Sequence, residues 1–218
     1  MTYFISGIDT GIGKTVVTGR LCRYLEKKGR KWISVKLVQT GCDGFSEDLE
    51  EHRKIAGVTP FPEDKEGLTA PQIFKFPSSP LLAAQLEGKT VDLAKIAASV
   101  KTLEERYETV VVEGAGGLCV PLTEDTLTID FAAQEGWPLI LVASGRLGSI
   151  NHILLSLEAA RSRGMKVLGV VYNDYPASDP TIFADTEKTI KRYLGTVPNS
   201  LGTVPRIFNL AADDFEGL

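Results

Sequence analysis

The chain has 218 residues, 43% of them hydrophobic and 24% charged, which suits one globular domain with a full core over 1–218. Its 24 Lys and Arg against 28 Asp and Glu leave a formal net charge of −4, so no electrostatic footprint for nucleic acid or an anionic membrane is present. The three cysteines, Cys22, Cys42 and Cys119, show no C-x-x-C spacing and are read as reduced thiols, with Cys22 as core filler. No basic start with an apolar stretch behind it and no apolar run of membrane-spanning length is found, so a cytoplasmic protein is expected.

In chain order, "TYFIS" reads as a strand over 2–6, and Val16, Val17, Leu21 and Leu25 continue at helical spacing over 14–28 towards Gly29, a helix C-cap residue. Between them lies "GIDTGIGKT". Its Gly13-Lys14-Thr15 ending is that of a P-loop, where backbone N–H groups cradle phosphates, the lysine reaches their outer oxygens and the threonine ligates magnesium. Five residues, Ile8 to Ile12, separate Gly7 from Gly13, one more than the common pattern. The order of strand, glycine loop and helix is nevertheless what a phosphate site needs, because first-turn N–H groups and the helix dipole then point at the anion.

A second strand is expected over 32–38 and a charged helix over Glu47 to Ala56, followed by a long Pro- and charge-rich loop, "TPFPEDKEGLTAPQIFKFPSSP". Helices follow from Leu81 and over Asp92 to Arg106, then strands "TVVVEG" and "PLILVAS", a helix over 150–163, a strand "KVLGVVYN" and a helix over 181–194. The apolar runs are continuous, which marks strands buried on both faces. The expectation is a doubly wound α/β fold with a mainly parallel sheet and ligands at the carboxyl ends of its strands.

The strand ends carry the candidates. Lys36, inside "SVKLVQTG", is costly to bury unless its ammonium meets an anion, so it is read as facing a phosphate; the alternative is a lysine snorkelling from the strand edge. Glu113 follows a buried run and precedes three glycines within four residues, a placement suited to a magnesium nucleotide site. Asn173-Asp174 could read an adenine edge or serve ordinary turn chemistry. His52, within "EEHRK", is read as part of a solvated helix face, and no Cys/His spacing suggests zinc.

Taken together, "GIDTGIGKT", "KLVQTG", "FPSSPLLAA", "VVEGAGGLCVPL", "LGSINH" and "VVYND" resemble the dethiobiotin synthetase family in order and spacing, from the first strand to about "LGTVP" at 201–205. The family's P-loop carries the extra residue, and it belongs to the branch of P-loop proteins that includes Min/Par-type ATPases. The resemblance implies ATP-dependent carboxylation and ring closure of 7,8-diaminopelargonate with CO2, giving dethiobiotin, ADP and phosphate through a phosphorylated carbamate. It implies Lys14 and Lys36 as the charge-stabilising pair and Thr15, Asp48 and Glu113 as magnesium ligands. Thr10, Gly11, Ile12, Gly13, Lys14 and Thr15, with Glu113, Gly114, Ala115 and Gly116, would wrap the phosphates of ATP. Asn173, Asp174, Pro205 and Arg206 would cradle adenine. Thr40 would hydrogen-bond the carbamate, with Gly117 and Leu118 also at the substrate. Ser149 and Asn151, at a helix start in the partner chain of a homodimer, would receive the substrate carboxylate. Leu37, Thr40 and Leu81 depart from residues common in the family, which bears on the substrate end and removes no charge.

Three rival readings are a Min/Par-like switch, a cobyric-acid-type amidating synthetase and a small-molecule kinase. The first usually carries a lysine early in its P-loop, where this chain has "GIDTG", and often a basic tail, where this chain has "NLAADDFEGL". The second needs a nucleophilic Cys with His, for which the chain offers no convincing pair.

Overall fold

A computed structural model describes residues 1–174, 177–196, 206–209 and 215. In chain order the elements are β1 (Thr2–Gly7), α1 (Lys14–Lys27), β2 (Trp32–Lys36), β3 (Gln39–Thr40), α2 (Glu47–Ala56), α3 (Pro62–Lys65), β4 (Ile73–Phe74), α4 (Pro80–Leu86) and α5 (Leu93–Arg106). They continue with β5 (Thr109–Gly117), α6 (Thr128–Gln134), β6 (Leu139–Ser144), α7 (Ser149–Ser162), β7 (Val167–Asn173), α8 (Pro180–Thr196) and β8 (Arg206–Asn209). Six strands pair in the order β2-β5-β1-β6-β7-β8, every pair parallel, and β3 and β4 form a separate parallel pair.

The continuous apolar strands are the core. Phe4, Ile5, Val110, Val111, Val112, Leu139, Ile140, Leu141 and Val142 are inaccessible to solvent, as parallel strands between two helical layers must be. Truncating one of them, Leu141 to Ala, would cost about 2–5 kcal/mol, because the packed layers around it close only partly over the cavity. From α1, Val17, Leu21, Cys22 and Leu25 are buried at helical spacing, so the P-loop helix is fixed to the sheet by its own apolar face. Cys22 is core filler as expected.

Four features differ from the expectation. The second strand ends at Lys36: beyond it Gln39 N donates to Gln72 O at 2.9 Å, and Gln39-Thr40 pairs with Ile73-Phe74. The 59–80 segment is therefore partly ordered by α3 and β4, a two-residue pairing across more than thirty positions that leaves no local periodicity. Helix α6 was not expected; it is seven residues long, with Asp130 accepting from Leu127 N at 3.2 Å over its first turn. The short edge strand β8 also lacks a sequence signal of its own.

His52 is the fourth and largest difference. It is inaccessible to solvent, because Leu49, His52, Arg53 and Ala56 all bury from α2 at the i, i+3, i+4, i+7 spacing of an inward helix face.

Candidate active site

The site lies where the carboxyl ends of β1, β2 and β5 meet the start of α1. Between β1 and α1 the loop turns through Gly13, whose φ of 91° lies in the left-handed region that suits glycine. Gly7 is required for a different reason: a Cβ there would sit 2.6 Å from Ile12 Cδ1. The loop is pinned from the neighbouring strands, since Asn173 Nδ2 at the end of β7 donates to Ile12 O at 2.8 Å and Ile8 N donates to Val142 O at 3.1 Å. Lys14 Nζ folds back over it to Asp9 O at 2.8 Å, and Arg146 pairs with the Asp9 carboxylate.

Strands β2 and β5 place Lys36 and Glu113 as direct partners in register. Lys36 Nζ lies 2.8 Å from Glu113 Oε1 and 2.5 Å from Asp48 Oδ2, and it donates to Gly114 O at 3.2 Å. Asp48 arrives in the first turn of α2, whose N-terminus is set by Ser46: its Oγ accepts from Leu49 N at 3.3 Å and donates to Gln39 Oε1 at 2.6 Å. Thr15 Oγ1 completes the group, donating to Asp48 Oδ1 at 2.9 Å and lying 3.2 Å from Glu113 Oε1. Three hard oxygen donors thus gather around one ammonium, a donor set that fits magnesium. Among the described residues no cluster of three or more His, Cys, Asp or Glu could hold a metal by itself, and water and phosphate oxygens would complete the shell around these donors.

The electrostatics follow from burial and pairing. Burial opposes the Lys36 ammonium, but Glu113 and Asp48 outweigh it and hold the lysine above its ordinary range. Burial likewise opposes the Glu113 carboxylate, and Lys36 with the hydrogen bond from His52 holds it well below the usual carboxylate range. Lys14 has weaker support. Burial, then repulsion from Lys36, bring it down to about 8. A phosphate arriving beside Lys14 would supply the missing counter-charge.

Thr10, Gly11, Gly13, Lys14, Thr15, Lys36, Thr40, Asp48, Glu113, Ala115 and Gly116 face one cavity of about 380 Å³, so most of the residues named from the sequence converge. Gly117 and Leu118 fall on a neighbouring cavity of about 400 Å³, next to Asp9, Thr10, His152 and Leu155. Ser149 and Asn151 line neither: Ser149 is buried 3.2 Å from Ser144 Oγ, and Asn151 is exposed on the first turn of α7. Asp174 performs turn chemistry, accepting from Ser178 N and Oγ at 2.9 and 3.0 Å. Arg206 opens β8, and Pro205 lies outside the described residues. Sequence reasoning missed His52, whose Nε2 sits 2.7 Å from Glu113 Oε2, although its place four residues after Asp48 puts both on one side of α2.

A protein family described as an AAA domain matches residues 1–213. Among curated proteins, the chain is 48% identical over 200 residues to the ATP-dependent dethiobiotin synthetase BioD 2 of Pasteurella multocida, covering 91% of this chain and 94% of that one. It is 50% identical over 193 residues to the ATP-dependent dethiobiotin synthetase BioD of Chlorobaculum tepidum, covering 87% and 81%. Among solved structures, pNOB8 ParA aligns with a TM-score of 0.55 at 14% identity, covering 99% of this chain and 84% of that one. A ParA family ATPase from Chlorobium tepidum aligns with a TM-score of 0.52 at 12% identity, covering 87% and 80%. The structural likenesses establish the parallel α/β fold shared with these ParA structures, and the sequence relationships establish more: the chain belongs to the dethiobiotin synthetase family.

Proposed function

We infer that this chain is an ATP-dependent ligase of biotin biosynthesis, which carboxylates 7,8-diaminopelargonate with CO2 and closes the cyclic urea of dethiobiotin, releasing ADP and phosphate. The observation that carries the reading is the meeting of Lys14, Thr15, Lys36, Asp48 and Glu113 in one cavity of about 380 Å³. An amine of the diamine captures CO2 as a carbamate. A carbamate oxygen attacks the γ-phosphorus, ADP leaves, and the second amine attacks the carbonyl of the mixed anhydride and expels phosphate. Negative charge gathers on the carbamate and γ-phosphoryl oxygens, so fixed ammonium groups and backbone donors lower the barrier.

Lys14 and Lys36 stabilise the transferring phosphoryl group and the carbamate, and Thr40 hydrogen-bonds the carbamate. The loop from Thr10 to Thr15 and the turn from Glu113 to Gly116 wrap the phosphates. Thr15, Asp48 and Glu113 would hold magnesium, which when bound neutralises phosphate charge. Gly117 and Leu118 border the aliphatic part of the substrate, since their cavity also has Val120 and Leu155 in its wall. Asn173, Asp174, Pro205 and Arg206 would cradle the adenine, and Asn173 also holds the P-loop through Ile12.

The active unit on this reading is a homodimer of single-domain chains spanning 1–218, with Ser149 and Asn151 of one protomer receiving the substrate carboxylate of the other. A cytoplasmic enzyme without nucleic-acid or membrane partners accords with the net charge of −4, and among the described residues no helix is long and apolar enough to cross a membrane.

Incubation with diaminopelargonate, bicarbonate and Mg-ATP, each omitted in turn, tests the reading by mass spectrometry. Dethiobiotin should form only in the complete mixture. Rapid ATP hydrolysis without the diamine, and no dethiobiotin with it, would contradict the assignment and favour an ATPase switch.

A further inference from the structure

Glu113 has two differently employed oxygens. Oε1 faces the cavity with Lys36 and Thr15, whereas Oε2 is 2.7 Å from His52 Nε2 and points away from it. An ionised carboxylate only accepts hydrogen bonds, so His52 Nε2 carries the proton and donates it. The other ring nitrogen, Nδ1, lies 3.0 Å from Ser34 Oγ, which also accepts from Arg53 Nη1 at 2.6 Å. Arg53 forks onto Asp64, with Nη2 to Oδ1 at 2.7 Å and Nε to Oδ2 at 3.1 Å. Asp64 further accepts from Thr69 Oγ1 at 2.7 Å and Phe61 N at 2.8 Å. The relay closes on the site again, because Thr69 O accepts from Lys36 N at 2.8 Å.

Every side chain from Glu113 through His52 and Ser34 to Arg53 is buried, with His52 and Glu113 both at 0% exposure. A side chain there that only filled space would need no polar atoms, and burying an imidazole is unfavourable unless both ring nitrogens find partners. Here both do, and one partner is the carboxylate whose orientation decides what the cavity receives.

We propose that His52 is a positioning residue for Glu113: it ties back Oε2, so that Oε1 is the oxygen presented to the nucleotide cavity, and the Arg53–Asp64 pair anchors this arrangement to the 59–80 segment. The proposal rests on the reading of Glu113 as a metal ligand. Groups that orient a metal ligand typically change metal affinity by 10–100-fold when removed.

The test measures Mn2+ binding by electron paramagnetic resonance, in the presence of a non-hydrolysable ATP analogue, for the parent, His52→Leu, His52→Gln, Glu113→Gln and the His52→Leu/Glu113→Gln double variant. His52→Leu keeps the volume and removes the donor, and should weaken Mn2+ binding by about tenfold while metal-free binding of the analogue stays within about twofold. His52→Gln retains an N–H able to reach Oε2 and should restore most of the loss. In the Glu113→Gln background, His52→Leu should add nothing. Parent-like Mn2+ affinity in His52→Leu, equal damage in His52→Gln, or a parallel fall in metal-free binding would overturn the positioning role alone. Parent-like affinity in Glu113→Gln would overturn the metal-ligand reading and the proposal with it. Should His52→Leu not fold, Ser34→Ala replaces it: a few-fold loss of Mn2+ affinity that vanishes in the Glu113→Gln background supports the proposal, and parent-like affinity overturns it.

Discussion

The phosphate end of the site and the end around α7 and β7 are built differently. At the phosphate end each functional side chain is held by other parts of the same chain: Lys36 by Glu113 and Asp48, Thr15 by Asp48, and Glu113 by His52. At the other end Asn151 stands exposed and Ser149 is turned inward to Ser144. At the first end the charged groups already hold one another before any ligand arrives, whereas at the other Asn151 reaches solvent from α7 and Ser149 meets only Ser144. Pre-organisation belongs where charge changes during the reaction, because fixed dipoles and ions need not reorganise at that moment.

The largest effect should come from the pre-built end. Lys36→Ala should lower turnover by about 100- to 1,000-fold, roughly 3–4 kcal/mol in the barrier, by analogy with the loss of one oxyanion donor. Nucleotide affinity, measured by calorimetry, should change little, because the P-loop is on a different strand. Turnover within a few-fold of the parent would remove Lys36 from the chemistry.

A stability effect of similar energy is expected from the relay behind the site. Asp64→Asn leaves the Arg53 guanidinium, 4% exposed, without its carboxylate, and should cost about 3 kcal/mol at neutral pH in chemical denaturation. Burial opposes the Asp64 carboxylate, but Arg53 and Thr69 outweigh it and hold the carboxyl below its ordinary value of 3.8. The stabilisation is therefore complete above about pH 4 and fades as pH falls through the lowered value, so parent and variant should converge in acid. A gap independent of pH would show that the pairing is not its source.

The smallest effect, and the most diagnostic for the loosely built end, concerns mixtures. If Lys36→Ala and Asn151→Ala each inactivate a homodimer, co-refolded heterodimers should contain one intact composite site and regain part of the activity. No recovery despite demonstrated heterodimers would confine each site to one protomer.

The same contrast governs what could be read from sequence. The P-loop, Glu113 and the parallel sheet were legible because each is written locally, as a glycine spacing, an acid after an apolar run, or uninterrupted β-type residues. Asp48 was not evident locally and came only through the family resemblance. His52 was misread because the charges around it masked the buried face of Leu49, His52, Arg53 and Ala56. The β3–β4 pair was invisible because two residues carry no period and because Gln39 and its partner Ile73 lie far apart in the chain.

The central claim, that a carbamate is phosphorylated beside Lys14 and Lys36, is tested most directly by a brief single-turnover reaction with 18O-labelled CO2, Mg-ATP and diaminopelargonate. Attack of a carbamate oxygen on the γ-phosphorus, then expulsion of phosphate from the carbonyl, predicts one oxygen carried from CO2 into the released phosphate. Unlabelled phosphate formed alongside dethiobiotin would contradict the account.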